Sequence, residues 1–96
     1  MEEFTEVSEA YGSLINCVID AIDKEDSEIA AICALPLVKL AEAENGNYVD
    51  TIGANYNIAV NTVMDALDLI DREGVPSFLE DDVEEIKRTL KDLGYL

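Results

Sequence analysis

Two pairs of carboxylates are spaced for joint chemistry. Glu6 and Glu9 form an ExxE pair, and Asp65 and Asp68 form a DxxD pair. Residues three apart on a helix are neighbours at about 5–6 Å, so each pair shares a face. Two such faces set opposite each other can hold Mg²⁺ through oxygen ligands. The same carboxylates also belong to longer acidic rows, with Glu2, Glu6 and Glu9 along one helix and Asp65, Asp68 and Asp71 along another. Rows of this kind can compete with phosphates for the Lys and Arg of a partner. Tyr48 beside Asp50 adds an aromatic contact to that second reading, because Tyr is enriched at interfaces.

Other chemistries are excluded by what is missing. The chain has no His, so a nucleophilic triad of the usual form cannot be built. No GxxxxGK[ST] occurs, and no Gly-rich loop opens a helix after a strand. A Ca²⁺ loop begun at Asp23 or Asp71 lacks its Gly at the sixth position and its closing Glu at the twelfth. Paired acidic motifs on neighbouring helices resemble the broad logic of all-helical nucleotide pyrophosphohydrolases. That resemblance implies a divalent-metal enzyme using Glu6, Glu9, Asp65 and Asp68. The chain departs from the pattern in the long separation of the pairs, in DxxD standing where ExxD belongs, and in having no basic group for the phosphates. The expectation is therefore a non-enzymatic protein, with no catalytic residue, metal or cofactor.

Charge is the dominant global feature. There are 22 acidic and 6 basic residues, for a net charge of −16. Such a chain repels nucleic acid and anionic membrane and attracts basic surfaces. The excess is uneven: residues 1–23 carry six acids and no base, and so do residues 40–71. A merely soluble surface mixes signs, so these one-signed stretches point to a basic partner. The trio Lys87, Arg88 and Lys91 is the only basic cluster, and it reads better as a complement to a helix dipole than as a nucleic-acid contact.

The elements that must position these residues are helices. Phe4, Val7, Tyr11, Leu14, Val18 and Ala21 repeat at alternating spacings of 3 and 4 and predict a first helix over Phe4–Ile22. The segment DKEDSE interrupts the pattern and offers Asp23 or Asp26 as N-cap of the next helix. That second helix, IAAICALPLVKLAEAE, is apolar on nearly every side, so it is central or it meets a partner. Pro36 should kink it or break it in two. Asn45-Gly46 is a stop and Asn47 an N-cap for a long third helix, which ends at Gly74. Val49, Ile52, Tyr56, Ala59, Val63, Ala66 and Ile70 give that helix a regular heptad seam, suited to a bundle or a dimer. Ser77 and Glu80 predict a capping box for the fourth helix, and Glu84 with Arg88 an i,i+4 pair. Cys17 and Cys33 fall inside apolar helical runs and read as buried, reduced thiols.

The expected architecture is thus all-α and four-helix bundle-like, a single domain over residues 1–96 with helix two kinked or broken at Pro36 and a long third helix. The acidic N-terminus, MEEFTEV, and the shortness of the longest apolar run, Ile29–Ala41, predict a cytoplasmic chain without a membrane partner. In charge and size the chain is similar to the small acidic helical proteins that neutralise basic targets: bacteriocin immunity proteins, antitoxins, and phage anti-restriction or anti-CRISPR proteins. The similarity implies an inhibitor that engages a basic surface, such as that of a nuclease or nucleic-acid-binding protein, by nucleic-acid mimicry. Its contacts would be Glu2, Glu6, Glu9, Tyr48, Asp50, Asp65, Asp68 and Asp71, without direct binding of nucleic acid. The alternative is a self-associating structural or adaptor module, a homodimer through helix two or helix three.

Overall fold

The computed structural model describes the backbone of residues 2–44 and 49–96, and the side chains of residues 9–43 and 56–96. Among the described residues the chain is all-helical: α1 (Glu2–Asp23), α2 (Ser27–Glu44), α3 (Val49–Glu73), a 3₁₀ turn (Ser77–Leu79) and α4 (Glu80–Asp92). The first helix begins two residues earlier than its apolar rhythm, at Glu2. The stop at Asn45-Gly46 and the cap at Asn47 lie outside the described residues.

The turn between α1 and α2 shows how few residues suffice to stop one helix and start another. The amide of Glu25 donates to the carbonyl of Ile22 at 3.0 Å, and that of Asp26 donates to Ala21 at 2.8 Å. This is the hydrogen-bond pair that closes a helix when the next residue turns left-handed. The left-handed residue is Glu25, at φ 56°. Asp26 then caps α2, its Oδ1 accepting from the amide of Ile29 at 3.0 Å, which is the expected role of an N-cap aspartate. A side chain with Cβ is strained in that region, where glycine is not. Glu25→Gly should therefore raise stability, by about 0.5–1 kcal/mol once the greater freedom of glycine in the unfolded chain is counted. Urea denaturation of the pair of proteins checks this, and an unchanged or lower midpoint would show that the turn holds no strain.

Gly74 (φ 75°) and Gly94 (φ 93°) end α3 and α4 in the same left-handed way. At the second of these, Gly94 donates to Lys91 and Tyr95 to Leu90, at 3.0 and 2.9 Å. The expected capping box of α4 does not form: no side-chain cap bond is made at either Pro76 or Leu79. The chain instead tightens into the 3₁₀ turn, with the amide of Leu79 donating to Pro76 at 2.9 Å. That turn places Leu79 in the core, and the register needed for a reciprocal Ser77–Glu80 bond is lost.

Pro36 does not break α2, which runs unbroken from Ser27 to Glu44. Proline removes one backbone donor and leaves the carbonyl four residues earlier without its partner. Pro36 and Ile32 both lie on the exposed side of α2, where water can satisfy that carbonyl.

Helices α1, α2 and α3 pack on one another pairwise, and α4 is laid against α2. The arrangement differs from an even four-helix bundle in where the fourth helix sits. The centrality of α2 explains why its sequence is apolar almost all round. Its buried face is Ala30, Ala31, Ala34, Leu37, Val38 and Ala41, every one at 0% exposure. Alanines there let neighbouring backbones come close, and Ala59 and Ala66 do the same from α3. Val83, Ile86 and Leu90 are the buried stripe of α4. Two threonines enter the core, and each donates to the carbonyl one turn back, Thr62 to Ile58 at 2.7 Å and Thr89 to Glu85 at 2.9 Å, so neither hydroxyl is left unsatisfied.

Cys17 and Cys33 are joined in a disulfide that staples α1 to α2. This corrects the reading of reduced thiols: both lie in apolar runs as expected, but they share the α1–α2 boundary, with Cα atoms 6.2 Å apart, inside the range a bridge spans. No described helix is long and apolar enough to cross a membrane.

Tyr11 is fully buried, and Tyr56 packs half-buried against the core, as their places on the apolar seams predict. Tyr95 crosses back so that its ring centroid lies 6.4 Å from that of Tyr56. Burial, with a hydrogen bond to Tyr95, pushes the Tyr56 hydroxyl up to about 12 from its ordinary 10. A tyrosine that holds its proton more tightly when folded stabilises the fold below its unfolded value and loses that contribution as pH rises. Unfolding free energy should accordingly fall between pH 10 and pH 12, and Tyr56→Phe should shrink that fall. A variant with an undiminished alkaline loss would assign it to other groups.

Candidate interaction surface

The acidic residues singled out by spacing stand on two helices. On α1, Glu9 is exposed, and Glu2 and Glu6 belong to the same helix with side chains outside the described residues. On α3, Asp65, Asp68 and Asp71 are all exposed. Asp50 lies in the first turn of α3 with its side chain outside the described residues, and Tyr48 is outside them altogether.

The three α3 aspartates do not share one environment. A helix turns about 100° per residue, so the three-residue steps from 65 to 68 to 71 drift steadily round the axis. Asp68 and Asp71 border a groove of about 300 Å³ between α3 and α4, with Met64, Leu67, Lys87 and Leu96. Asp65 is turned out of it, onto the side of α3 that carries exposed Ile58. Asp71 faces Lys87 across the groove at 3.8 Å. Among the described residues no three carboxylates or thiols come together in a way that could hold a metal ion. Glu9, Asp65 and Asp68 are thus separate surface charges rather than a converging set.

Most bases are already engaged within the chain. Lys24 pairs with Asp20 at 2.9 Å, and Lys87 with Asp71. Lys39 of α2 reaches across to Glu85 of α4 and also lies 3.6 Å from Glu42. Arg88 pairs with Glu85, one residue along from the Glu84 that i,i+4 spacing predicts. Glu85 lies on the flank of α4 that meets α2, and its carboxylate is shared between Arg88 and Lys39. The hydrogen bond from Lys39 holds the Glu85 carboxyl below the usual carboxylate range, and in turn raises Lys39. Arg72 and Lys91 are exposed without an ion pair among the described residues, and they are outnumbered by exposed acids in the same state, Glu9, Asp65 and Asp68 among them.

A second surface was legible only in part. The excess apolarity of α2 reads as a helix that is central or meets a partner, and the structure places it centrally, against α1, α3 and α4. Beyond its buried face it presents Ile29 at 41% exposure, Ile32 at 46% and an exposed Pro36 to solvent. Spacings of 3 and 4 put these on one side of the helix. No family model matches this chain, and no curated protein or solved structure matches it either.

Proposed function

We propose that this protein is a non-enzymatic inhibitor that binds a basic surface of a partner protein, in the manner of an immunity protein, antitoxin or phage anti-defence protein. Nucleic-acid mimicry is its mode, and a nuclease or nucleic-acid-binding protein is its kind of target. One observation carries the reading. The bases Lys24, Lys39, Lys87 and Arg88 are consumed in internal pairs, so a chain of net charge −16 presents carboxylates outward with little cationic relief. Such a field speeds encounter with a cationic surface and selects against anionic ones. Glu2, Glu6, Glu9, Tyr48, Asp50, Asp65, Asp68 and Asp71 are the contacts this reading assigns. Of the α3 row, Asp65 and Asp68 are the stronger contributors, because Asp71 is partly neutralised by Lys87.

The immobilised protein should retain basic host proteins at low ionic strength and release them as salt rises past the point where the screening length falls below about 10 Å. A retained nuclease or nucleic-acid-binding protein should lose its nucleic acid in competition. Retention that ignores salt, or a retained protein without a basic surface, would overturn the reading. Self-association is the second reading, and it now draws on α2, since Ala59, Val63, Ala66 and Ile70 of the α3 seam are buried within the chain. Sedimentation at high concentration tests it.

A further inference from the structure

We infer that the Ile29–Ile32–Pro36 ridge of α2 is the apolar anchor of the partner interface, and that its occupant is a segment whose own apolar face is bordered by Lys or Arg. The inference rests on the proposal of a basic partner and adds where, and against what, that partner packs.

The ridge is a minority of a stable interface. Two half-exposed isoleucines and a proline cover far less than the roughly 800 Å² that a specific interface needs from each side. The rest of the contact must come from what surrounds them, and the surroundings are acidic. At the N-terminal end of the ridge stand Glu25, Asp26 and Glu28, all exposed. Beyond the other end Glu42 is exposed on a flank turned about 120° from Pro36, and the Lys39 between them has its ammonium taken by Glu85 and Glu42. On the neighbouring helix Asp23 is exposed, and Asp20 holds Lys24. An apolar centre with a charged rim is the usual plan of a protein interface. A second copy of this chain would set acids against acids around that centre. A partner with basic borders would set acids against bases, which gives both attraction at a distance and pairing on contact.

The position also favours a rigid anchor. Cys33 lies between Ile32 and Pro36 in sequence, and its bond to Cys17 ties this part of α2 to α1. An anchor held in place before contact loses little freedom on binding.

The test uses two synthetic probes on the intact protein at low salt: a helical peptide of leucine and lysine with one apolar face, and an oligolysine of equal charge. The amphipathic peptide should bind about tenfold more tightly, the return expected for covering the exposed part of the two isoleucines. Ile29→Ser with Ile32→Ser should abolish that preference while leaving oligolysine binding and the helical circular dichroism unchanged, at a lowered melting temperature, because somewhat more than half of each side chain is buried. Equal affinity of the wild type for the two peptides, or a preference that survives the double substitution, would overturn the anchor while leaving the basic-partner reading in place. If neither peptide binds, both readings fall. Sedimentation as a dimer that the substitution dissolves, or substitution-sensitive binding to neutral lipid vesicles, would hand the ridge to a different occupant and overturn the proposal.

Discussion

Leu37→Ala should remove about 3–4 kcal/mol of folding free energy, the upper half of the range for truncating a fully buried leucine. Leu37 has 0% exposure at the middle of α2, which packs against all three other helices. The loss has two parts, the transfer free energy of the deleted carbons and the cavity left behind. Cavities shrink when neighbours can move in, and here they cannot easily do so. The same face of α2 carries Ala30, Ala31, Ala34 and Ala41, whose short side chains have no reach, and the helix backbones they separate are already close. A domain of this size has a total stability on the order of 5–15 kcal/mol, so the variant should be near the edge of folding. Chemical denaturation measures it, and a loss below about 1.5 kcal/mol would mean that the core re-collapses around the gap.

Reducing the Cys17–Cys33 bridge should cost nearly as much, about 3 kcal/mol, by releasing a loop of sixteen residues in the unfolded chain. The melting temperature should fall by roughly 12 °C or more. A Cys17→Ala, Cys33→Ala variant should match the reduced wild type and ignore reductant, while the wild type responds to it. If wild type and variant melt together without reductant, the bridge contributes nothing. The bridge also bears on where the protein is at full strength. Disulfides persist in oxidising surroundings and are rare in the cytosol, so the same chain in a reducing compartment would work at the lower stability of the variant.

The all-α class, the order of the helices, the end at Gly74 and the cap at Asp26, one of two aspartates offered, were legible from the sequence because each rests on local chemistry. A left-handed glycine or a capping aspartate acts within a few residues of itself. The departures are all cases where a distant element decided. Whether two thiols meet depends on how α1 lies along α2, which no local spacing of Cys17 and Cys33 records. Pro36 was read as a kink or a break because proline is hostile to a helix interior, and of the two the break does not occur, since α2 is continuous from Ser27 to Glu44. Arg88 was assigned Glu84 by its spacing, but it pairs with Glu85, the carboxylate that also takes Lys39 from α2. Ser77 and Glu80 have the letters of a capping box, and burial of Leu79 outweighed it. The aspartates of α3 were legible as residues of one exposed helix. Their division was not, because only the placement of α4 turns Asp71 into an internal partner of Lys87 and leaves Asp65 facing outward.

The turn after α1 is also a ruler. Asp26 donates its amide to close α1 and lends its side chain to open α2, so nothing in the segment is spare. One inserted residue would rotate α2 by about 100° against α1. Cys33 would swing away from Cys17, and alanines that now face the core would be exchanged for isoleucines that now face solvent. Homologues of this chain should therefore vary in length at other connections and keep this one fixed, and a tag or reporter spliced between Asp23 and Ser27 is the insertion the fold will tolerate least.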